Sequence, residues 1–149
     1  MKAHIACVFA VGCTASGTDQ FIQPSADCRA TASNEFRTRF TGSQLTSFDG
    51  SFAVAVTSIE TISGVTCRAA NREVVANGSF TTLVENQRDE AVYPLLGVFI
   101  DSNGNGACDA DRDIVWHIYG SVSEAEDLVE LTGESFALQP DAEGCALLR

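Results

Sequence analysis

Hydrophobic and polar residues alternate along much of this chain, the pattern of half-buried β-strands. In Phe36-Arg37-Thr38-Arg39-Phe40 both rings fall on one face. From Ser51 to Ile59, Phe52, Val54 and Val56 share a face, with small or polar residues between them. Val65 to Ala69 reads as another strand. Two short β runs, Val74-Val75-Ala76 and Ser79-Phe80-Thr81, flank Asn77-Gly78. Asn-Gly between β runs predicts a two-residue hairpin, because both residues tolerate the positive φ of a type I′ turn. Val92 to Ile100 is apolar on both faces and predicts a central strand buried on both sides or at a sheet junction. Ile114 to Tyr119 is a further strand. Residues 121–132 fit two patterns. Ser121-x-x-Glu124 with Val122, Ala125, Leu128 and Val129 has helical spacing that Gly133 could end, whereas Asp127 to Leu131 could equally be a strand.

About seven short strands with regular turns predict an all-β, antiparallel β-sandwich, immunoglobulin-like or transthyretin-like in arrangement. The chain has 149 residues, which suits one domain. It is 45% hydrophobic and 19% charged, a globular composition.

The formal net charge of −11 argues against nucleic-acid binding, since such a surface repels phosphate backbones. It is compatible with a cation ligand or with solubility alone.

The opening residues, Met1-Lys2-Ala3-His4 and then Ile5 to Gly12, have the basic start and apolar stretch of a signal peptide. They are too few for a membrane span, which needs about 20 apolar residues. Ala10-Val11-Gly12-Cys13 resembles the lipobox of bacterial lipoproteins. That resemblance implies lipidation of Cys13, a membrane anchor, and placement in the cell envelope at the outer membrane, since Thr14 rather than Asp follows the cysteine. A plain secretory leader is the alternative, and a buried first strand at Ile5 to Val11 is a third reading. The expected organisation is a signal peptide at 1–12, a lipidated tether at 13–27 and one sandwich domain at 28–149.

Without Cys7 and Cys13, four cysteines remain: Cys28, Cys67, Cys108 and Cys145. Even number and wide spacing fit two disulfides in an oxidising compartment. Three pairings are open. Cys28–Cys145 with Cys67–Cys108 is the expected one, joining the domain's ends and pinning the loop described next to a strand.

Residues Asp101 to Asp113, DSNGNGACDADRD, hold four carboxylates and one arginine where a hairpin needs only two to five residues. Counting from Asp101, oxygen side chains fall at positions one, three, five and nine: Asp101, Asn103, Asn105 and Asp109. Gly106 falls at six, where calcium loops turn sharply, and Ala107 at seven, where a backbone carbonyl serves. The segment resembles the calcium loops of EF-hands, dockerins and thrombospondin type 3 repeats. That resemblance implies a calcium ion, with Asp113 supplying the last ligand because Arg112 stands at position twelve. The alternative is a Gly/Asn-rich turn whose Asp side chains cap their own backbone. The arrangement D-x-N-G-N-G-x-C-D is also similar to a loop of exported bacterial proteins of no assigned function.

No catalytic motif is present: there is no G-x-S-x-G, and His117 has no cysteine cluster or second histidine near it in sequence. Trp116, Tyr119 and Tyr93 could line a sugar-binding face, although Trp116 suits a core position better. Asn77-Gly78-Ser79 matches a glycosylation sequon but is explained by the hairpin. The expected function is a non-enzymatic, envelope-anchored structural or interaction domain stabilised by calcium and disulfides. A module for a glycan or protein partner at the cell surface is the first alternative, and a small secreted hydrolase using His117 the second.

Overall fold

The computed structural model describes residues 35–60, 64–87, 94–120, 126–136 and 141–148. The expected leader and tether (1–27), Cys28 and Tyr93 lie outside these residues. The described chain is an all-β sandwich of seven strands with one short helix. The strands are β1 (Glu35–Ser43), β2 (Phe52–Glu60), β3 (Thr66–Val74), β4 (Phe80–Gln87), β5 (Leu95–Asp101), β6 (Ile114–Tyr119) and β7 (Glu126–Thr132). The helix α1 spans Ala142–Leu147.

One sheet has the order β4-β1-β7 and the other β3-β2-β5-β6. Neighbouring strands pair antiparallel except β1 and β7, which run parallel with Phe40 opposite Val129. Of residues 121–132, the segment with two sequence readings, 126–132 are strand, and 121–125 lie outside the described residues. Val129 and Leu131 join the core between the sheets, while Leu128 is 59% exposed on the other face.

The hairpin between β3 and β4 turns at Asn77 (φ 53°) and Gly78 (φ 69°), with Ala76 and Ser79 exchanging backbone hydrogen bonds of 2.9 and 3.1 Å. Both central residues have the positive φ that the Asn-Gly pair predicts. The turn is tied to the rest of the fold by the Gly78 amide, which donates to Asp49 Oδ1 at 2.7 Å.

Between the sheets, Phe40, Phe80, Val84 and Leu131 pack with Ala53, Ala55, Ala69, Leu96, Val98 and Ile100. The alanines of β2 and β3 leave room for the two rings, so large and small side chains interdigitate. Gly42 pairs with Phe80 in the β1–β4 ladder, and a Cβ there would fall on the Phe80 ring. A buried polar link crosses the same space: Asn86 Nδ2 donates to Thr57 Oγ1 (3.0 Å) and to the carbonyls of Thr57 and Cys67.

The four-stranded sheet is covered on its second face as well. Val54, Val56, Ala70, Leu95, Phe99 and Val115 form a separate cluster with Cys108, Cys145 and Leu148. This explains β5, buried along its whole length as its two-sided hydrophobicity predicts. The alternation in β2 is likewise two-sided: Val54 and Val56 face this outer cluster, and Ala53 and Ala55 face the sandwich interior. Among the described residues, the cover consists of α1 with Leu148 and the 101–113 loop.

Candidate functional site

Loop 101–113 joins β5 to the neighbouring β6. Its first residue, Asp101, ends β5 and is fully buried. The Asp101 carboxylate accepts from the Gly104 amide through Oδ1 (2.7 Å) and from the Gly106 amide through Oδ2 (2.8 Å). Both glycines have positive φ, 73° and 79°, a conformation that other residues reach only at a steric cost. The sharp turn at the sixth position is therefore present.

Asn103 and Asn105 each fold back on the backbone. Asn103 Oδ1 accepts from the Asn105 amide (3.0 Å), and Asn105 Oδ1 accepts from the Ala107 amide (2.8 Å). Their side-chain nitrogens converge on a single acceptor, Asp109 Oδ2, at 2.7 and 2.9 Å. Asp109 also lies 4.0 Å from the Arg112 guanidinium, which stands 3.5 Å from Asp111.

Asp113, buried at the start of β6, closes the loop. Its Oδ1 accepts from the Ser102 amide (3.1 Å) and hydroxyl (2.9 Å), and its Oδ2 accepts from the Asp109 amide (2.8 Å). The Asp113 amide donates in return to the Asp109 carbonyl at 2.9 Å. The structure thus brings Asn103, Asn105 and Asp109 together. It places Asp101 and Asp113 on either side of them, each holding backbone N–H groups. For Ala107 it fixes the amide, which the Asn105 turn holds.

These side chains bear oxygen atoms, the ligand type that a hard cation takes. Each carboxylate or amide oxygen has two acceptor directions: those of Asp101, Asn103 and Asn105 and Oδ2 of Asp113 receive one N–H each, whereas Oδ2 of Asp109 and Oδ1 of Asp113 already receive two donors. Among the described residues no three His, Cys, Asp or Glu side chains are grouped to share an ion. A site in this loop would accordingly depend on Asn and backbone oxygens beside its carboxylates, a donor set that suits calcium better than zinc, which prefers nitrogen and sulfur ligands.

The loop is anchored from outside by Cys108, which is disulfide-bonded to Cys145 of α1 with 5.2 Å between Cα atoms. The expected pairing of Cys28 with Cys145 and Cys67 with Cys108 is therefore corrected. Both Cys108 and Cys145 belong to the cover on the outer face of the sheet, whereas Cys67 is in β3. Cys67 is also disulfide-bonded, to a partner outside the described residues.

Sequence reasoning missed α1. Its N-cap is Asp141, whose Oδ1 accepts from the Gly144 amide at 2.8 Å. The other oxygen, Oδ2, lies 3.9 Å from His117 Nδ1. An Asp three residues before a Gly is the only local signal of this cap, and six residues are too few for a helical hydrophobic pattern. The α1 terminus is held further by Arg68, whose guanidinium donates to the Leu148 carbonyl. Burial pulls the Arg68 pKa below its usual value.

The His117 side chain stands beside one carboxylate, that of Asp141, its one ion-pair neighbour among the described residues. Of the aromatic residues considered for a sugar face, Trp116 packs against the core between the sheets and Tyr119 is 61% exposed.

No family model, curated protein or solved structure matches this chain.

Proposed function

We propose that this protein is a non-enzymatic domain of the cell envelope, lipid-anchored at Cys13 or secreted, whose 101–113 loop takes up a structural calcium ion. The metal reading is supported by the spacing of oxygen-bearing side chains at Asp101, Asn103, Asn105 and Asp109 around a turn at Gly106 with φ 79°. Asn103 and Asn105 meet Asp109 through their Nδ2 donors and would turn their Oδ1 atoms inward to ligate. Asp101, Asn103, Asn105, the Ala107 carbonyl, Asp109 and Asp113 are the residues that would hold the ion. Bound there, calcium would neutralise carboxylates that otherwise repel one another. It would also stiffen the connection between β5 and β6.

The export reading is supported by the lipobox-like Ala10-Val11-Gly12-Cys13 and by disulfide-bonded Cys67, Cys108 and Cys145, since disulfides persist in oxidising compartments. His117 is read as part of the packing of α1, because Asp141 is already engaged as the helix cap.

Calcium added to chelator-treated protein tests the metal. A saturable rise in Tm and one calcium per protein molecule by titration calorimetry are expected. An unchanged Tm across millimolar calcium would remove the ion from this reading. Anchoring is tested separately by labelling the full-length protein with a palmitate analogue in a bacterial host. Label that survives Cys13→Ser would exclude lipidation at that cysteine.

A further inference from the structure

Asn-Gly is the dipeptide most prone to spontaneous deamidation, because glycine's backbone nitrogen meets no side-chain hindrance when it attacks the asparagine side chain. Asparagine is counted among the heat-labile residues partly for this reason. The reaction is balanced by water. The glycine nitrogen loses its proton to solvent and bonds to the asparagine Cγ, the bond from Cγ to Nδ2 breaks, and the leaving NH2 takes a proton from solvent and departs as ammonia. Water then opens the resulting succinimide to aspartate or isoaspartate.

This sequence has three such steps, Asn77-Gly78, Asn103-Gly104 and Asn105-Gly106. In all three the attacking nitrogen is already engaged by an aspartate. The Gly78 amide donates to Asp49 Oδ1 (2.7 Å), Gly104 to Asp101 Oδ1 (2.7 Å) and Gly106 to Asp101 Oδ2 (2.8 Å). We propose that Asp49 and Asp101 are guard residues that suppress deamidation at these three steps.

Two effects act together. The N–H is directed at the carboxylate and away from the asparagine side chain. As the amide loses its proton, negative charge also develops within hydrogen-bond distance of a carboxylate, which raises the barrier. At Asn103 and Asn105 the side chains are restrained as well, each by a backbone amide and by Asp109. Deamidation there would put a new carboxylate against Asp109, so the guard preserves the loop's charge. Asn77 has no such restraint: it is exposed and its side chain makes no hydrogen bond among the described residues. Asp49 is the sole brake on that step.

The test is a peptide map by mass spectrometry after incubating folded wild-type and Asp49→Ala protein at mildly alkaline pH. The readout is the deamidation rate at Asn77 relative to Asn103 and Asn105 in the same molecule. That ratio is expected to rise about tenfold in Asp49→Ala, the rate equivalent of losing one charge-assisted hydrogen bond. Asp49→Asn, which keeps an acceptor but no charge, should fall between the two. An unchanged ratio would overturn the proposal and leave Asp49 a turn-capping residue only. A lower ratio would also overturn it, since the carboxylate would then be acting as a base for the attack. A parallel rise at all three sites would assign protection to the fold as a whole and not to Asp49.

Discussion

Cys108 and Cys145 are joined across the outer face of the four-stranded sheet, so the loop between β5 and β6 and the helix α1 form one covalently linked cover. The bond spans 37 residues of sequence. In the chain-entropy model a loop of that length stabilises the fold by about 4 kcal/mol. Replacing both cysteines with alanine is expected to lower the unfolding free energy from denaturant titration by an amount of that order. Hydrogen exchange should quicken first in α1 and residues 101–113, and later in β1 and β4. Uniform loss of protection across both sheets would mean that the cover is not a separate unit of stability.

That cover packs tightly on the sheet at Gly97. This glycine lies in the middle of β5, paired with Val56 on one side and His117 on the other. A Cβ on Gly97 would overlap the side chain of Leu148, which is fully buried. Gly97→Ala should therefore push Leu148 and the end of α1 outward, at the cost of about 1–3 kcal/mol typical of overpacking. Pairing it with Leu148→Ala, which vacates the space, should recover part of that loss in a double-mutant cycle. Strictly additive effects would show that the two residues do not meet.

The sandwich and its central strand were legible because their cause is local. Alternation in β1 and β2, two-sided hydrophobicity in β5 and the positive φ of Asn77-Gly78 are each written in a few adjacent residues. The second layer was not legible, because it depends on residues brought together by topology. Cys108 and Cys145 meet only once β5 and β6 have been placed side by side, and α1 buries little beyond Gly144 and Cys145 of its own. Helical spacing at Val122, Ala125, Leu128 and Val129 competed with the strand pattern until β7 docked parallel to β1, turning Val129 inward and Leu128 out. In the loop, spacing located Asp101, Asn103, Asn105, Gly106 and Asp109. The amides that Asp101 and Asp113 hold match the alternative reading, in which the Asp side chains cap their own backbone.

That role makes Asp113 a structural residue whether or not an ion is present. Its two oxygens accept from the Ser102 amide and hydroxyl and from the Asp109 amide. Asparagine could satisfy only one side, because its nitrogen would face an N–H donor. Asp113→Asn is thus expected to destabilise nearly as much as Asp113→Ala, by about 2–4 kcal/mol for losing hydrogen bonds to a buried charged group. Urea unfolding in excess chelator isolates this effect from any metal. If Asp113→Asn kept wild-type stability there, the carboxylate's paired contacts would not be what holds the loop.

Asp109 differs from Asp113 in being partly exposed, with 29% of its side chain accessible, and in accepting mainly from other side chains. Removing it should leave the loop's backbone contacts intact, since Asp101 and Asp113 make them. Asp109→Ala is therefore expected to cost under about 1.5 kcal/mol in chelator, in line with a partly exposed polar contact. The same substitution should abolish most of the calcium response, because it takes away the carboxylate on which Asn103 and Asn105 converge. At a calcium concentration about a hundredfold above its dissociation constant, wild-type protein gains roughly 2.7 kcal/mol by mass action. The variant's unfolding curve should be nearly the same with and without calcium. An equal calcium-induced gain in wild type and Asp109→Ala would place the ion away from Asp109, and the loop would then be a self-capped turn.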